Sequence, residues 1–126
     1  MVVGVPKEIK TEENRVAVTP TGVSAFVARK HKVLIERHAG AGSGFSDGAY
    51  AGAGAQIVDS PKEVWDQAEL IMKVKEPQPV EFPLLRKGQI LFTYLHLAAD
   101  EIVTRVLLER KVTAIGYETI QLDDGS

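Results

Sequence analysis

Cysteine is absent from the 126 residues of this chain. Without a thiol, the chain cannot form a disulfide framework, bind zinc through cysteine or use a cysteine nucleophile. Hydrophobic residues make up 44% of the chain and charged residues 25%. This length and composition predict one soluble globular domain with a hydrophobic core of its own.

A surplus of positive charge is missing as well, since the formal net charge is -2 and the pI is about 5.9. Nucleic acid is therefore not an expected partner, because binding a phosphate backbone requires a basic surface. No apolar run approaches the ~20 residues of a transmembrane helix, and the N-terminal residues lack the apolar stretch of a signal peptide. We expect a cytoplasmic protein without a membrane partner, which leaves small metabolites as ligands.

Short β-branched runs alternate along the chain with segments that begin with helix-capping residues. The runs that predict strands are residues 1–5, 32–37, 56–58, 69–74, 89–94 and 112–116. The segments that predict helices are residues 20–31, 46–55, 60–65, 82–86 and 100–111. This alternation is typical of βαβ units, so we predict an α/β fold with a doubly wound, mainly parallel sheet and flanking helices, either Rossmann-like or flavodoxin-like.

Three side chains that can carry positive charge follow predicted strands. Arg15 lies in the loop after the first strand, Lys75 at the end of the fourth and His96 at the end of the fifth. Parallel sheets bind ligands outside the carboxyl ends of their strands, commonly where the strand order reverses. If strands one and four flank that reversal, with strand five beside strand four, the three loops converge on one crevice.

These three residue types suit a small 2-oxo acid. A guanidinium can bind a carboxylate through two parallel hydrogen bonds, and an ammonium can polarise a carbonyl oxygen. An imidazole that titrates near neutrality can exchange a proton as the carbonyl becomes an alcohol or an amine. Other interpretations stay open. Arg15 and Lys75 stand near glutamates in charge runs that are usually solvated, and a lone histidine such as His96 is more often a core or loop residue.

The glycine-rich stretch HAGAGSGF does not predict a dinucleotide site. Gly40 and Gly42 fit the first two positions of G-x-G-x-x-G, but Phe45 occupies the third, and the stretch follows the second strand instead of the first. Ser43 is not in a nucleophile elbow, because Ala41 stands where that motif needs glycine. The predicted role is a tight loop with close backbone packing. The histidines lack metal-ligand spacing, so no metal site is predicted.

The stretch GVPKEIKTEENRVAVTPTGV, residues 4–23, resembles the signature that opens alanine dehydrogenases and the related pyridine nucleotide transhydrogenases. The similarity continues through GAGSGFSDGAYAGAGA, VKEP, YLHLAAD and IGYETIQ, so it covers essentially the whole chain. The histidine of YLHLA favours the alanine dehydrogenase branch, because the transhydrogenase branch does not use a histidine at the substrate site. The resemblance implies that Arg15 and Lys75 bind the substrate and that His96 is the catalytic acid/base.

The resemblance further implies an enzyme that interconverts L-alanine with pyruvate and ammonia, with NAD as the hydride acceptor and a homohexameric assembly. Residues 1–126 would then belong to the N-terminal substrate domain, and the family's NAD-binding domain would be absent from this chain. We therefore expect no cofactor-binding residues in this chain and no activity from the chain alone.

Two alternatives stay open at this stage. A transhydrogenase-type subunit would share the opening signature but would couple two nucleotides without oxidising an amino acid. A non-catalytic α/β folding or interaction module would need Arg15, Lys75 and His96 for nothing beyond stability.

Overall fold

The computed structural model describes residues 1–10, 12–93 and 101–116. The strands in these ranges are β1 (Val2–Val5), β2 (Lys32–Glu36), β3 (Gln56–Val58), β4 (Leu70–Met72), β5 (Ile90–Thr93) and β6 (Thr113–Gly116). The α-helices are α1 (Pro20–Ala28), α2 (Asp47–Gly52), α3 (Pro61–Gln67) and α4 (Glu101–Glu109), and 3₁₀ turns occur at Ala41–Ser43 and Pro79–Leu84. In the part of the chain so described, no helix has the length and apolar character needed to cross a membrane.

All six strands pair in parallel, in the order β3-β2-β1-β4-β5-β6. The chain starts in the middle of the sheet, winds outwards to β3, returns to the other side of β1 and winds outwards again to β6. The strand order therefore reverses between β1 and β4, and this pair is the switch point of the sheet. The prediction of a doubly wound parallel sheet is confirmed.

Alternate residues of the strands pack into two cores, one on each face of the sheet. On β2, Val33 and Ile35 belong to the core that contains Tyr50 of α2, whereas Leu34 belongs to the core that contains Trp65 of α3. This period of two is the geometry of an extended strand with both faces covered. As a result, α1 and α2 cover one face of the sheet, and α3 and α4 cover the other.

Side-chain caps begin three of the helices. Thr19, Ser46 and Ser60 each accept a hydrogen bond from the backbone N–H three residues further on, at 3.2, 3.1 and 3.3 Å. Each bond satisfies one of the N–H groups that have no partner inside a helix. The capping signals in the sequence therefore mark the true helix starts at the carboxyl edge of the sheet.

The short helix predicted near residues 82–86 is present as a 3₁₀ helix, but it is displaced towards the N-terminus. The structure has a 3₁₀ turn there, Pro79–Leu84, which begins three residues earlier than the predicted helix. The cause is a capping interaction at its start, where the backbone N–H of Gln78 donates to Glu81 Oε1 at 2.8 Å. A proline at the first position of the turn supports the early start.

The strand predicted over residues 69–74 is shorter in the structure, where β4 ends at Met72. The backbone N–H groups of Val74 and Lys75 donate to the side-chain carboxylate of Glu8, at 3.0 and 3.1 Å, and not to a carbonyl of the adjacent strand. A side chain therefore replaces the sheet ladder just beyond the switch point.

Candidate functional site

The candidate site lies at the carboxyl edge of the sheet, where the loops after β1 and β4 meet. Arg15 lies in the first loop, and Lys75 lies three residues beyond the end of β4. Glu13 lies between them, since its Oε1 accepts a hydrogen bond from Arg15 Nη2 at 2.8 Å and is 3.9 Å from Lys75 Nζ. The structure thus brings two of the three sequence-predicted residues to one carboxylate.

The second carboxylate oxygen of Glu13, Oε2, accepts two further hydrogen bonds from Arg15. Arg15 Nε donates to Glu13 Oε2 at 3.0 Å, and the backbone N–H of Arg15 donates to the same oxygen at 2.8 Å. The side chain of Glu13 is 5% exposed, whereas that of Arg15 is 64% exposed. The hydrogen bond from Arg15 outweighs the effect of burial and lowers the pKa of the Glu13 carboxyl, so Glu13 is ionised at neutral pH.

An open cleft of about 310 Å³ adjoins this cluster. Its walls include Arg15 and Thr19 from the loop after β1, Ser43 and Phe45 from the glycine-rich loop after β2, and Val74. Clefts of this size accommodate small molecules. Because a guanidinium lines the cleft, the chemistry of the wall suits a small anion that also has an apolar part.

The glycine-rich loop forms one wall of the cleft through close backbone packing, as predicted. A Cβ atom at Gly42 would lie 2.8 Å from the backbone oxygen of Asn14, so only glycine lets the two loops approach this closely. Ser43 Oγ donates to the same Asn14 oxygen at 2.8 Å. The loop therefore braces the segment that carries Arg15.

The described residues do not fit the pyrophosphate of a dinucleotide. A dinucleotide-binding turn needs glycines directly after β1, but residues 5–21 contain no glycine, and the buried carboxylate of Glu8 lies there instead. In the glycine-rich turn after β2, a Cβ at Gly40 would lie 2.5 Å from the ring of Tyr50, so this glycine is needed for packing. Within residues 1–10, 12–93 and 101–116, no group of three or more histidine, aspartate or glutamate side chains is placed to bind a metal ion.

A buried ionic cluster at the switch point was missed by the sequence analysis. Lys73 is 0% exposed, and its Nζ lies 3.1 Å from Glu8 Oε1 and 3.3 Å from Glu81 Oε2. Burial raises the pKa of the Glu81 carboxyl despite the attraction of Lys73. The alternation of the strand gave only a partial signal, because Lys73 lies two residues beyond the buried Ile71 but the same period also includes Lys75.

Both backbone polar groups of Lys75, the N–H and the carbonyl, are hydrogen-bonded to side chains. Its N–H donates to Glu8 Oε1 at 3.1 Å, and its carbonyl accepts a hydrogen bond from Thr93 Oγ1 at 2.8 Å. Thr93 is the last residue of β5 and Glu8 lies in the loop after β1, so contacts from both sides of β4 meet at Lys75, three residues beyond the end of that strand. The third predicted site residue, His96, lies outside the described residues.

Comparison with known proteins identifies the family. The family model described as alanine dehydrogenase/PNT, N-terminal domain, matches residues 4–126. An alanine dehydrogenase of Methanococcus maripaludis is 59% identical over 126 residues, which cover 100% of this chain and 34% of that protein. An alanine dehydrogenase of Bacillus subtilis is 58% identical over 120 residues, 95% of this chain and 32% of that protein. The chain thus spans about a third of the length of these curated relatives.

Solved structures agree with this assignment. An L-alanine dehydrogenase superposes with a TM-score of 0.95 at 50% identity, covering 100% of this chain and 35% of that chain. A transhydrogenase from Sinorhizobium meliloti superposes with a TM-score of 0.88 at 25% identity, covering 94% of this chain and 35% of that chain. Since the family model covers nearly all of the sequence and the fold matches both branches, this chain belongs to the alanine dehydrogenase/PNT family, as part of the N-terminal domain.

Proposed function

We propose that this chain is the substrate-binding part of an NAD-dependent alanine dehydrogenase, which interconverts L-alanine, NAD and water with pyruvate, ammonia and NADH. The observation that carries the proposal is the meeting of Arg15 and Lys75 around Glu13, beside an open cleft at the switch point. The 59% and 58% identities to alanine dehydrogenases, against 25% to the transhydrogenase, favour this branch of the family.

In this proposal the two cations bind different groups of the substrate. Arg15, which is exposed to the cleft, pairs with the carboxylate through parallel hydrogen bonds. Lys75 stabilises negative charge on the oxygen of pyruvate or of the carbinolamine. A fixed positive charge at this position lowers the energy of the transition state, because negative charge develops on that oxygen. His96 exchanges the proton as water adds to the imine.

NAD supplies the hydride acceptor in the proposed reaction. Because the described residues do not fit a pyrophosphate, we assign NAD binding to the rest of a full-length enzyme, and we expect this chain alone to be inactive. The family resemblance also supports a homohexameric full-length enzyme in the cytoplasm, with no nucleic-acid or membrane partner.

The test is a titration of the isotopically labelled chain with pyruvate, followed by amide NMR. We expect saturable shifts at Arg15 and Lys75, and a dissociation constant at least about tenfold higher in Arg15→Ala, Lys75→Ala and His96→Ala. Lys32→Ala is the matched control, since Lys32 is exposed at the amino end of β2, at the opposite edge of the sheet. Equal affinities in the wild type and in the Arg15 and Lys75 variants would contradict the proposal.

Propionate sharpens the test, because it has the carboxylate of pyruvate but lacks the carbonyl oxygen. Arg15→Ala should weaken the binding of both ligands, whereas Lys75→Ala should weaken that of pyruvate alone. Pyruvate binding that depends on His96 would favour an alanine dehydrogenase over a transhydrogenase-type domain, which couples two nucleotides and has no amino-acid substrate. A non-catalytic module would show no saturable shift with either ligand.

A further inference from the structure

The two buried groups that bond to the backbone of Lys75 have no assigned role. Glu8 is 7% exposed and Thr93 is 0% exposed. Glu8 accepts the Lys75 N–H at 3.1 Å, and the Thr93 hydroxyl donates to the Lys75 carbonyl at 2.8 Å. Both polar groups of this peptide backbone are therefore bonded to side chains that cannot turn towards solvent.

Glu8 is itself held in a single orientation. Its Oε2 accepts the N–H of Val74 at 3.0 Å, and its Oε1 also accepts a hydrogen bond from Lys73 Nζ at 3.1 Å. Hydrogen bonds to a charged carboxylate are stronger and shorter than those between neutral groups. Apart from the N–H of Lys75, Glu8 is thus held by two donors, the N–H of Val74 and the ammonium of Lys73.

The sheet supplies no substitute for these bonds. β4 ends at Met72, so Lys75 lies beyond the paired residues, where its two backbone dihedrals are not constrained by a ladder. Lysine has a flexible four-carbon side chain, and the volume that its ammonium reaches depends on where the Cα lies. A displacement of about 1 Å at a substrate-binding group is enough to reduce activity greatly.

We propose that Glu8 and Thr93 are positioning residues, which hold the backbone of Lys75 so that its ammonium meets the carbonyl oxygen of the substrate. The proposal rests on the proposed function, in which Lys75 binds that oxygen. It makes the end of β5 part of the substrate site through Thr93, in addition to His96.

The test compares Thr93→Val with Thr93→Ser in the pyruvate titration. Valine keeps the shape of threonine but removes the hydroxyl, whereas serine keeps the hydroxyl. We expect the dissociation constant of pyruvate to rise about three- to tenfold in Thr93→Val, the range for loss of one hydrogen bond, and to return close to wild type in Thr93→Ser. The affinity for propionate should not change in either variant, because propionate offers Lys75 no carbonyl oxygen.

Two further variants separate positioning from general support of the fold. Glu8→Gln should raise the dissociation constant of pyruvate about fivefold and leave that of propionate unchanged, because it removes the charge that holds two backbone N–H groups. In a Lys75→Ala background, Thr93→Val should have no further effect on pyruvate binding, since the group that it positions is gone.

The outcomes distinguish the positioning role of Glu8 and Thr93 from the proposed function. If Lys75→Ala weakens pyruvate binding but Thr93→Val and Thr93→Ser bind equally, the positioning role is wrong and the proposed function stands. The positioning role is also wrong if Thr93→Val raises the dissociation constant of pyruvate as much in the Lys75→Ala background as in the wild type. It is wrong as well if Glu8→Gln leaves the preference for pyruvate over propionate unchanged. If Lys75→Ala has no effect on pyruvate binding, both proposals fail.

Discussion

Replacing Lys73 by methionine should destabilise this fold strongly. Lys73 is 0% exposed, and its ammonium lies between Glu8 and Glu81, at 3.1 and 3.3 Å. Methionine fills a similar volume but leaves two buried carboxyl groups without their shared cation. Removal of one partner from a buried ion pair typically costs about 3–5 kcal/mol, because the remaining charge stays desolvated.

The remaining hydrogen bonds place the expected loss near the lower end of that range. Glu8 keeps the N–H donors of Val74 and Lys75, and Glu81 keeps the N–H of Gln78 at 2.8 Å. Backbone donors of this kind offset part of the cost of a buried carboxylate. We therefore expect a loss of about 3 kcal/mol, a large fraction of the ~5–15 kcal/mol by which domains are stable.

Urea unfolding followed by fluorescence measures this loss, since the chain has a single tryptophan, Trp65, which is 0% exposed. Lys32→Met is the control, because it removes an exposed lysine and should change the free energy of unfolding by less than about 0.5 kcal/mol. Adding Glu81→Gln to Lys73→Met should recover about 1–2 kcal/mol, because one of the unpaired carboxylates is then neutral. A Lys73→Met protein within about 0.5 kcal/mol of wild type would refute the reasoning.

Three further predictions concern single hydrogen bonds and charges. Tyr50→Phe should lower the free energy of unfolding in urea by about 1–2 kcal/mol, because the buried hydroxyl donates to the Val18 carbonyl at 2.7 Å; burial also raises the pKa of Tyr50 to about 12. Burial raises the pKa of Glu81 above 4.5, so its contribution to stability is present at lower pH and is lost as the pH rises through the folded-state pKa. The stability of Glu81→Gln relative to wild type should therefore increase with pH across that window in urea titrations, and a flat difference would contradict this. Glu13→Gln should tighten pyruvate binding about two- to fivefold in the NMR titration, because it removes a negative charge beside Arg15; weaker binding would mean that the charge of Glu13 is needed to orient Arg15.

Much of the fold was predictable because its signals are local. The strand Gln56–Val58 has the same bounds in the sequence analysis and in the structure, and Ser60 caps the helix that its spacing with Glu63 predicted. Parallel strands that are buried on both faces appear as short β-branched runs, and such runs are visible in a single sequence. The convergence of the loops after β1 and β4 then follows from the strand order, which places the two strands side by side.

The buried cluster was not predictable in the same way, because its partners are distant in sequence. In KVKEP, Lys73 and Lys75 are both lysines beyond a hydrophobic strand, and only the tertiary structure assigns one to the interior and the other to the candidate site. The separation between Lys73 and Glu8 is 65 residues, so no local pattern connects them. Similarly, the sequence places Glu13 in a charge run, whereas the structure shows it in contact with both Arg15 and Lys75.

The position of the cluster has a physical reason in the topology of the sheet. At a switch point the chain leaves two adjacent strands towards opposite faces, which opens a crevice and leaves backbone N–H groups beyond β4 without a ladder partner. Glu8 supplies the missing acceptor for Val74 and Lys75, and because its carboxylate is buried it needs a cation, which Lys73 provides. The interaction that stabilises the open edge is therefore also the one that locates Lys75. For this reason, Lys73→Met should weaken pyruvate binding even under conditions in which the variant is fully folded.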